Sequence, residues 1–169
     1  MLKIVTVPDP ILRKTAEKIN KVDEEVKNLI AQMRETLEKN PRGGIGLAAP
    51  QVGRRQRIII TKDGREPESI TYALVNPEIT KTSTGRAKAY EGCLSIPDTY
   101  CLVERPEKVV VKALNQNGKK ITIKASDLLA RVLQHEIDHL NGILITDKSI
   151  GNILTEKEYN KLINSMSTA

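Results

Sequence analysis

Apolar residues recur at helical spacing early in the chain, at Val22, Val26, Leu29, Ile30, Met33 and Leu37. Positions three and four apart share one face, so this stretch predicts an amphipathic helix from residue 23 to about residue 39. Asp23 can cap it, Glu24 and Glu25 suit its positive end, and Asn40, Pro41, Gly43 and Gly44 stop it. The pattern then changes. Residues 57–61 and 70–76 carry short β-branched runs, and residues 108–114 and 119–125 flank Asn117-Gly118, a hairpin signal. Ile121 and Ile123 alternate with Lys120, Thr122 and Lys124, so that arm has one wet face. A second helix is predicted from residue 127 to about residue 141, with Ser126 as N-cap and Gly142 as stop. Its apolar residues, Leu128, Leu129, Val132, Leu133, Ile137 and Leu140, wrap around much of it, which predicts a central, buried helix. Thr155-Glu156-Lys157-Glu158 fits a capping box and opens a short C-terminal helix. A helix, antiparallel strands, then helices read as an α+β fold, expected to form one domain over residues 1–169.

Composition narrows the function classes. Hydrophobic residues make up 39% of the 169, and the 10 glycines bring this to about 45%, normal for a globular domain, so extensive disorder is excluded. There is no Trp, no Phe and only four Tyr. The core must be built from Ile, Leu and Val, and a stacking platform for single-stranded nucleic acid is excluded. The 27 basic and 21 acidic side chains give +6, and their mixing along the chain reads as solvated surface. No apolar run approaches the ~20 residues of a membrane span. Residues 1–14 contain Pro8 and Pro10 and no continuous apolar stretch, so no signal peptide is expected and the location expected is cytoplasmic. Two cysteines without an export signal point to a reducing compartment, the alternative being a Cys93–Cys101 disulfide.

The most informative segment is Gln134-His135-Glu136-Ile137-Asp138-His139. Histidines four apart on a helix can offer two imidazole nitrogens to one metal ion, with Glu136 beside them to move a proton of an attacking water. Both histidines of the chain fall here, within an apolar helix where unpaired imidazoles would be costly. A catalytic site needs a third protein ligand. A His three residues after Gly142 would complete one zinc-protease pattern, but Ile145 stands there. Glu156 or Glu158 would give another, although capping explains both better. Cys93, in Glu91-Gly92-Cys93-Leu94-Ser95, is the remaining candidate, whereas Cys101 reads as a small buried hydrophobe. In Gly43-Gly44-Ile45-Gly46-Leu47-Ala48-Ala49-Pro50-Gln51 the glycines predict a loop and Ala48-Ala49-Pro50 tight packing. The Gln51 amide could donate to an oxyanion.

Residues 44–51, 91–95 and 135–139 resemble, in order and spacing, the three signatures of peptide deformylases. The likeness runs from Val7-Pro8-Asp9-Pro10 to Leu140-Asn141-Gly142. It implies Cys93, His135 and His139 as metal ligands, Glu136 as general acid/base, and Gln51 with the backbone N–H of Leu94 as oxyanion donors. It further implies that Ile45, Gly46 and Gly92 bind the substrate backbone and that Glu91 pairs with Arg105 as structural support. The implied reaction removes the formyl group from the N-terminal formylmethionine of new proteins. The implied native ion is Fe2+, with Zn2+, Ni2+ or Co2+ accepted in purified protein. The partners expected are a formylmethionyl nascent chain and the ribosome near its exit tunnel, with no membrane, no specific nucleic acid and a monomeric enzyme. Tyr100 departs from the substrate-contacting arginine of many bacterial members. Leu128, Val132, His135 and His139 form one stripe at i, i+4, i+7 and i+11, which predicts an apolar pocket wall reaching the metal, with Arg131 one position off it, either rimming the opening or, the favoured reading, solvated. The rival readings are a metalloendopeptidase using Glu156 or Glu158 and a basic ribosome- or RNA-binding module with a structural metal.

Overall fold

The computed structural model describes residues 1–168; Ala169, the last residue of the expected domain, lies outside the described residues. The first helix, α1 (Glu24–Glu38), is capped by Asp23, whose side chain accepts from the Val26 N–H at 3.0 Å. Seven strands follow: β1 (Gly46–Ala48), β2 (Ile58–Lys62), β3 (Thr71–Thr82), β4 (Arg86–Cys93), β5 (Ile96–Pro106), β6 (Lys108–Leu114) and β7 (Lys120–Ser126). They form an antiparallel sheet in the order β1-β2-β3-β6-β7 and a separate β4-β5 hairpin. Two helices, α2 (Asp127–Leu140) and α3 (Glu156–Ser167), complete an α+β fold.

The unbroken apolar run in β2 has a physical cause. Successive residues of a strand face opposite sides of the sheet. Ile58 and Ile60 join the α1 residues Leu29, Ile30 and Met33 in one core, while Ile59 joins Leu133, Ile137 and Leu140 of α2 in another. The sheet is therefore covered on both faces here. At β7 the expected alternation holds, with Ile121 and Ile123 packed inward and Lys120, Thr122 and Lys124 exposed. A third, smaller core of Leu12, Ile96, Cys101, Val103, Leu144 and Ile145 seats the β4-β5 hairpin.

Three local features differ from the sequence reading. The glycine-rich segment is a loop only as far as residue 45: from Gly46 it is β1, which runs into a 3-10 turn (Ala49–Val52) in which Gln51 is buried. Ser126 stands at the N-cap of α2 but its hydroxyl makes no capping bond; Asp127 enters with φ +53° and its N–H donates to the Glu107 carbonyl at 3.0 Å. β4 and β5 extend through residues that the hydrophobic pattern left unassigned. At α3 the capping box forms, with the Glu158 carboxylate accepting from the Thr155 N–H at 2.7 Å.

Candidate metal centre

α2 presents His135 and His139 one turn apart, with ring centroids 5.1 Å from each other. Cys93 arrives from the end of β4. There the β4-β5 register shifts between Gly92 and Cys93, an irregularity of the kind that re-aims a side chain. The Cys93 Sγ lies 3.2 Å from His139 Nε2, and one ligand atom each from Cys93, His135 and His139 fall within 4.8 Å of one another. Among the described residues no other group of three His, Cys, Asp or Glu converges in this way, so Glu156 and Glu158 are not brought to the cluster. Cys101 is fully buried in the third core, and both cysteines are free thiols.

A buried ionic network holds this cluster. His135 Nδ1 is 2.9 Å from Glu91 Oε2, which leaves its Nε2 for the cluster. Arg105 donates to both Glu91 oxygens, from Nε at 2.6 Å and from Nη2 at 3.0 Å, and from Nη1 to Asp138 at 2.8 Å. Such a fork is stronger and more directional than a single contact. Arg131 is not solvated as its position off the stripe implies. Its Nη1 donates to Glu91 at 2.7 Å and to the Val103 carbonyl at 3.0 Å, and its Nη2 donates to the Ala87 carbonyl at 2.7 Å. Burial pushes the Glu91 carboxyl up, but His135 and Arg105 outweigh it and hold Glu91 well below the usual carboxylate range. Burial likewise pulls His135 down, and its bonds to Cys93 and Glu91 raise it well above the usual imidazole value. His139 lies well below that value because of burial and then its neighbour His135, so it is neutral, the form that ligates metals. Arg105→Ala would leave Glu91 and Asp138 short of a buried partner. We expect a loss of about 3–5 kcal/mol and a fall in metal content, read by thermal denaturation and metal analysis; unchanged values would mean that the network contributes nothing.

Glu136 is buried beside the cluster, and its Oε2 has no hydrogen-bond partner. Burial pushes its carboxyl up to about 7. It faces β1 at Gly46, where a Cβ would stand only 2.3 Å from Glu136 Oε1, so only a bare backbone fits. Gln51 is fixed by its Oε1, which accepts from the Ala48 N–H at 2.8 Å. Its Nε2 is thereby turned to Cys93 Sγ at 3.6 Å and Ser95 Oγ at 3.2 Å. Leu94 occupies the turn between β4 and β5, and its carbonyl accepts from Arg42. Ile45 is half-buried beside β1, with its carbonyl taking the Lys62 N–H at 2.8 Å. Leu128 is half-buried and Val132 buried, and neither joins the three cores of the described residues. A thiol and two imidazoles make a donor set that fits a divalent transition metal, with the orphaned carboxylate oxygen of Glu136 beside it.

The family model "Polypeptide deformylase" matches residues 1–153. The chain belongs to the polypeptide deformylase family. It is 48% identical over 149 residues to a peptide deformylase of Thermodesulfovibrio yellowstonii, covering 88% of each chain. It is 46% identical over 147 residues to one of Natranaerobius thermophilus, covering 87% of this chain and 91% of that one. The crystal structure of the Thermotoga maritima peptide deformylase is similar at a TM-score of 0.83 and 40% identity, over 89% of this chain and 99% of that one. An Ehrlichia chaffeensis peptide deformylase in complex with actinonin gives 0.83 at 38% identity, over 99% and 96%. Peptide deformylases are metal-dependent hydrolases that remove the N-formyl group from nascent peptides, and this chain is an enzyme of that kind. No helix of the described residues is long and apolar enough to cross a membrane.

Within this deformylase site, sequence reasoning gave no role to Arg131, Asp138 or Ser95. Asp138 and Ser95 sit inside the quoted motifs, so the motifs themselves carried the signal. Arg131 carried none, because its partners are 28 to 44 residues away along the chain.

Proposed function

We propose that Cys93, His135 and His139 are the metal ligands of this deformylase, and that its substrate is the formylmethionine at the start of a new chain. The carrying observation is the convergence of those three side chains beside the unpartnered oxygen of Glu136. The metal, Fe2+ natively with Zn2+, Ni2+ or Co2+ accepted in purified protein, supplies Lewis acidity that polarises the formyl carbonyl and acidifies water. Glu136 takes a proton from the attacking water and returns it to the leaving amine, so that formate and a free N-terminus result. Gln51 Nε2 and the Leu94 N–H donate to the oxygen of the tetrahedral intermediate. Ile45, Gly46 and Gly92 bind the peptide backbone, which suits an extended chain because β1 is an edge strand and β4 pairs only with β5 among the strands. Leu128 and Val132 receive the methionine side chain, whose length and flexibility fit an apolar slot. In this reading α2 is the central helix of a single catalytic domain over residues 1–169. The enzyme works as a monomer in the cytoplasm, where nascent chains leave the ribosomal exit tunnel.

The test is formate release from a formyl-Met peptide by anaerobically purified enzyme, with its metal content measured in the same preparation. Formyl-norleucine should match formyl-Met, and formyl-Ala should be far slower, since each missing methylene costs about 1–3 kcal/mol. No formate from any of them would end this reading. Gln51→Ala is expected to lower kcat by roughly 10²-fold. A change confined to KM would make Gln51 a substrate-positioning group instead.

A further inference from the structure

Aromatic side chains are scarce in this chain, yet three of the four tyrosines meet at one place. Tyr100 and Tyr159 stack with ring centroids 4.0 Å apart and planes within 8°, and Tyr90 lies against Tyr159 at 5.7 Å. The place is next to the metal cluster. Tyr100 is the register partner of Gly92, the residue before Cys93. A Cβ on Gly92 would stand 3.0 Å from Tyr100 Cε1, 3.4 Å from Cζ and 3.5 Å from Cδ1, so the ring lies along bare backbone.

Tyr159 belongs to α3, which the family match does not reach, since it ends at residue 153. No residue of α3 is buried, so the helix adds little to any core. It is nevertheless tied to the strand that carries Tyr100. The Tyr100 N–H donates to the Leu154 carbonyl at 2.8 Å, the Leu154 N–H donates back at 2.9 Å, and the Glu156 N–H donates to Asp98 Oδ1 at 2.7 Å. The chain thus orders a twelve-residue helix whose aromatic contacts all go to the two strands that deliver Cys93. A ring stacked on another ring loses the freedom to swing away, and Tyr100 stays partly exposed.

We propose that Tyr159 is a positioning residue. It holds the Tyr100 ring along Gly92, so that Tyr100 forms an aromatic wall against the part of the peptide that follows the formylmethionine. This rests on the reading that Gly92 lies beside the bound peptide backbone. The wall rewards apolar and aromatic side chains downstream of the methionine and gives little to a formyl-Met amide that ends there.

The test compares kcat and KM for formyl-Met-Leu-Phe and formyl-Met amide in the wild type, Tyr159→Ala and Tyr159→Phe, with thermal stability and metal content as controls. Losing one aromatic contact corresponds to a rise of roughly 3- to 10-fold in KM. Tyr159→Ala is expected to raise KM for the tripeptide by that factor while kcat holds. The ratio of kcat/KM between tripeptide and amide should fall with it, and Tyr159→Phe should restore both. An unchanged ratio in Tyr159→Ala would overturn the proposal, as would failure of Phe to restore it. If the Ala variant does not fold, Tyr159→Leu, which keeps apolar bulk without a planar face, must show the same fall in ratio. A wild type inactive on both substrates would instead sink the assignment of function.

Discussion

Replacing Glu136 with Gln is expected to leave the metal in place and to lower turnover by at least ~10²-fold. The amide keeps the size of the carboxylate, which matters because Gly46 leaves no spare room against Oε1. What the substitution removes is the capacity to accept and return a proton. Burial pushes the carboxyl up to about 7, and a bound cation beside it lowers it. As the proposed base, Glu136 would act only when ionised, so kcat/KM should fall as pH drops through that pKa, on the acid side of 7 in the loaded enzyme. The acid limb should disappear in the Gln variant. Near-normal turnover in Glu136→Gln would remove this residue from the chemistry.

Cys93→Ser should strip the centre of metal at the concentrations used for purification, and activity should go with it. A thiolate is the softest donor of the set, and an alcohol oxygen neither ionises at neutral pH nor suits a transition ion equally well. Cys101→Ser is the matched control. Cys101 is fully buried in the third core, so its replacement should cost stability while the metal stays bound. The readouts are metal per chain and formate release for both variants. Full metal and full activity in Cys93→Ser would mean that the ligand set is wrong.

Much of this was legible before any coordinates. The α1 stripe, the Asn117-Gly118 hairpin and the capping box of α3 are local signals, and the structure reproduces each. The cluster of Cys93 with His135 and His139 was legible because each residue sits in a short, dense motif. The β4-β5 hairpin was not. Arg86–Cys93 mixes Lys, Arg, Glu and Gly with alanines, and only its Cys93 packs on the third core, whose members lie far apart along the chain. Arg131 was misread for a related reason. Helical spacing tells which face a residue occupies, whereas the acceptors that draw it inward belong to β4 and β5. The Gly46 clearance was equally hidden, since a glycine in a loop and a glycine pressed against a carboxylate look alike in sequence.

The proposed ligands come from two pieces of the fold with separate cores. His135 and His139 ride on a helix packed against the five-stranded sheet, while Cys93 ends a hairpin seated on a small core of its own. Glu91 already reaches across that seam to Arg131 and His135. A metal held by all three ligands would act as a clasp between the two pieces. Amide hydrogen exchange would then report two regimes. The doubly covered isoleucines of β2 should exchange only through global unfolding, with or without the ion. The amides of β4 and β5 should join them when the metal is bound and open through a cheaper, local route when it is chelated. On the proposed function, the segment that would meet the nascent chain is thus the one whose order the ion would maintain.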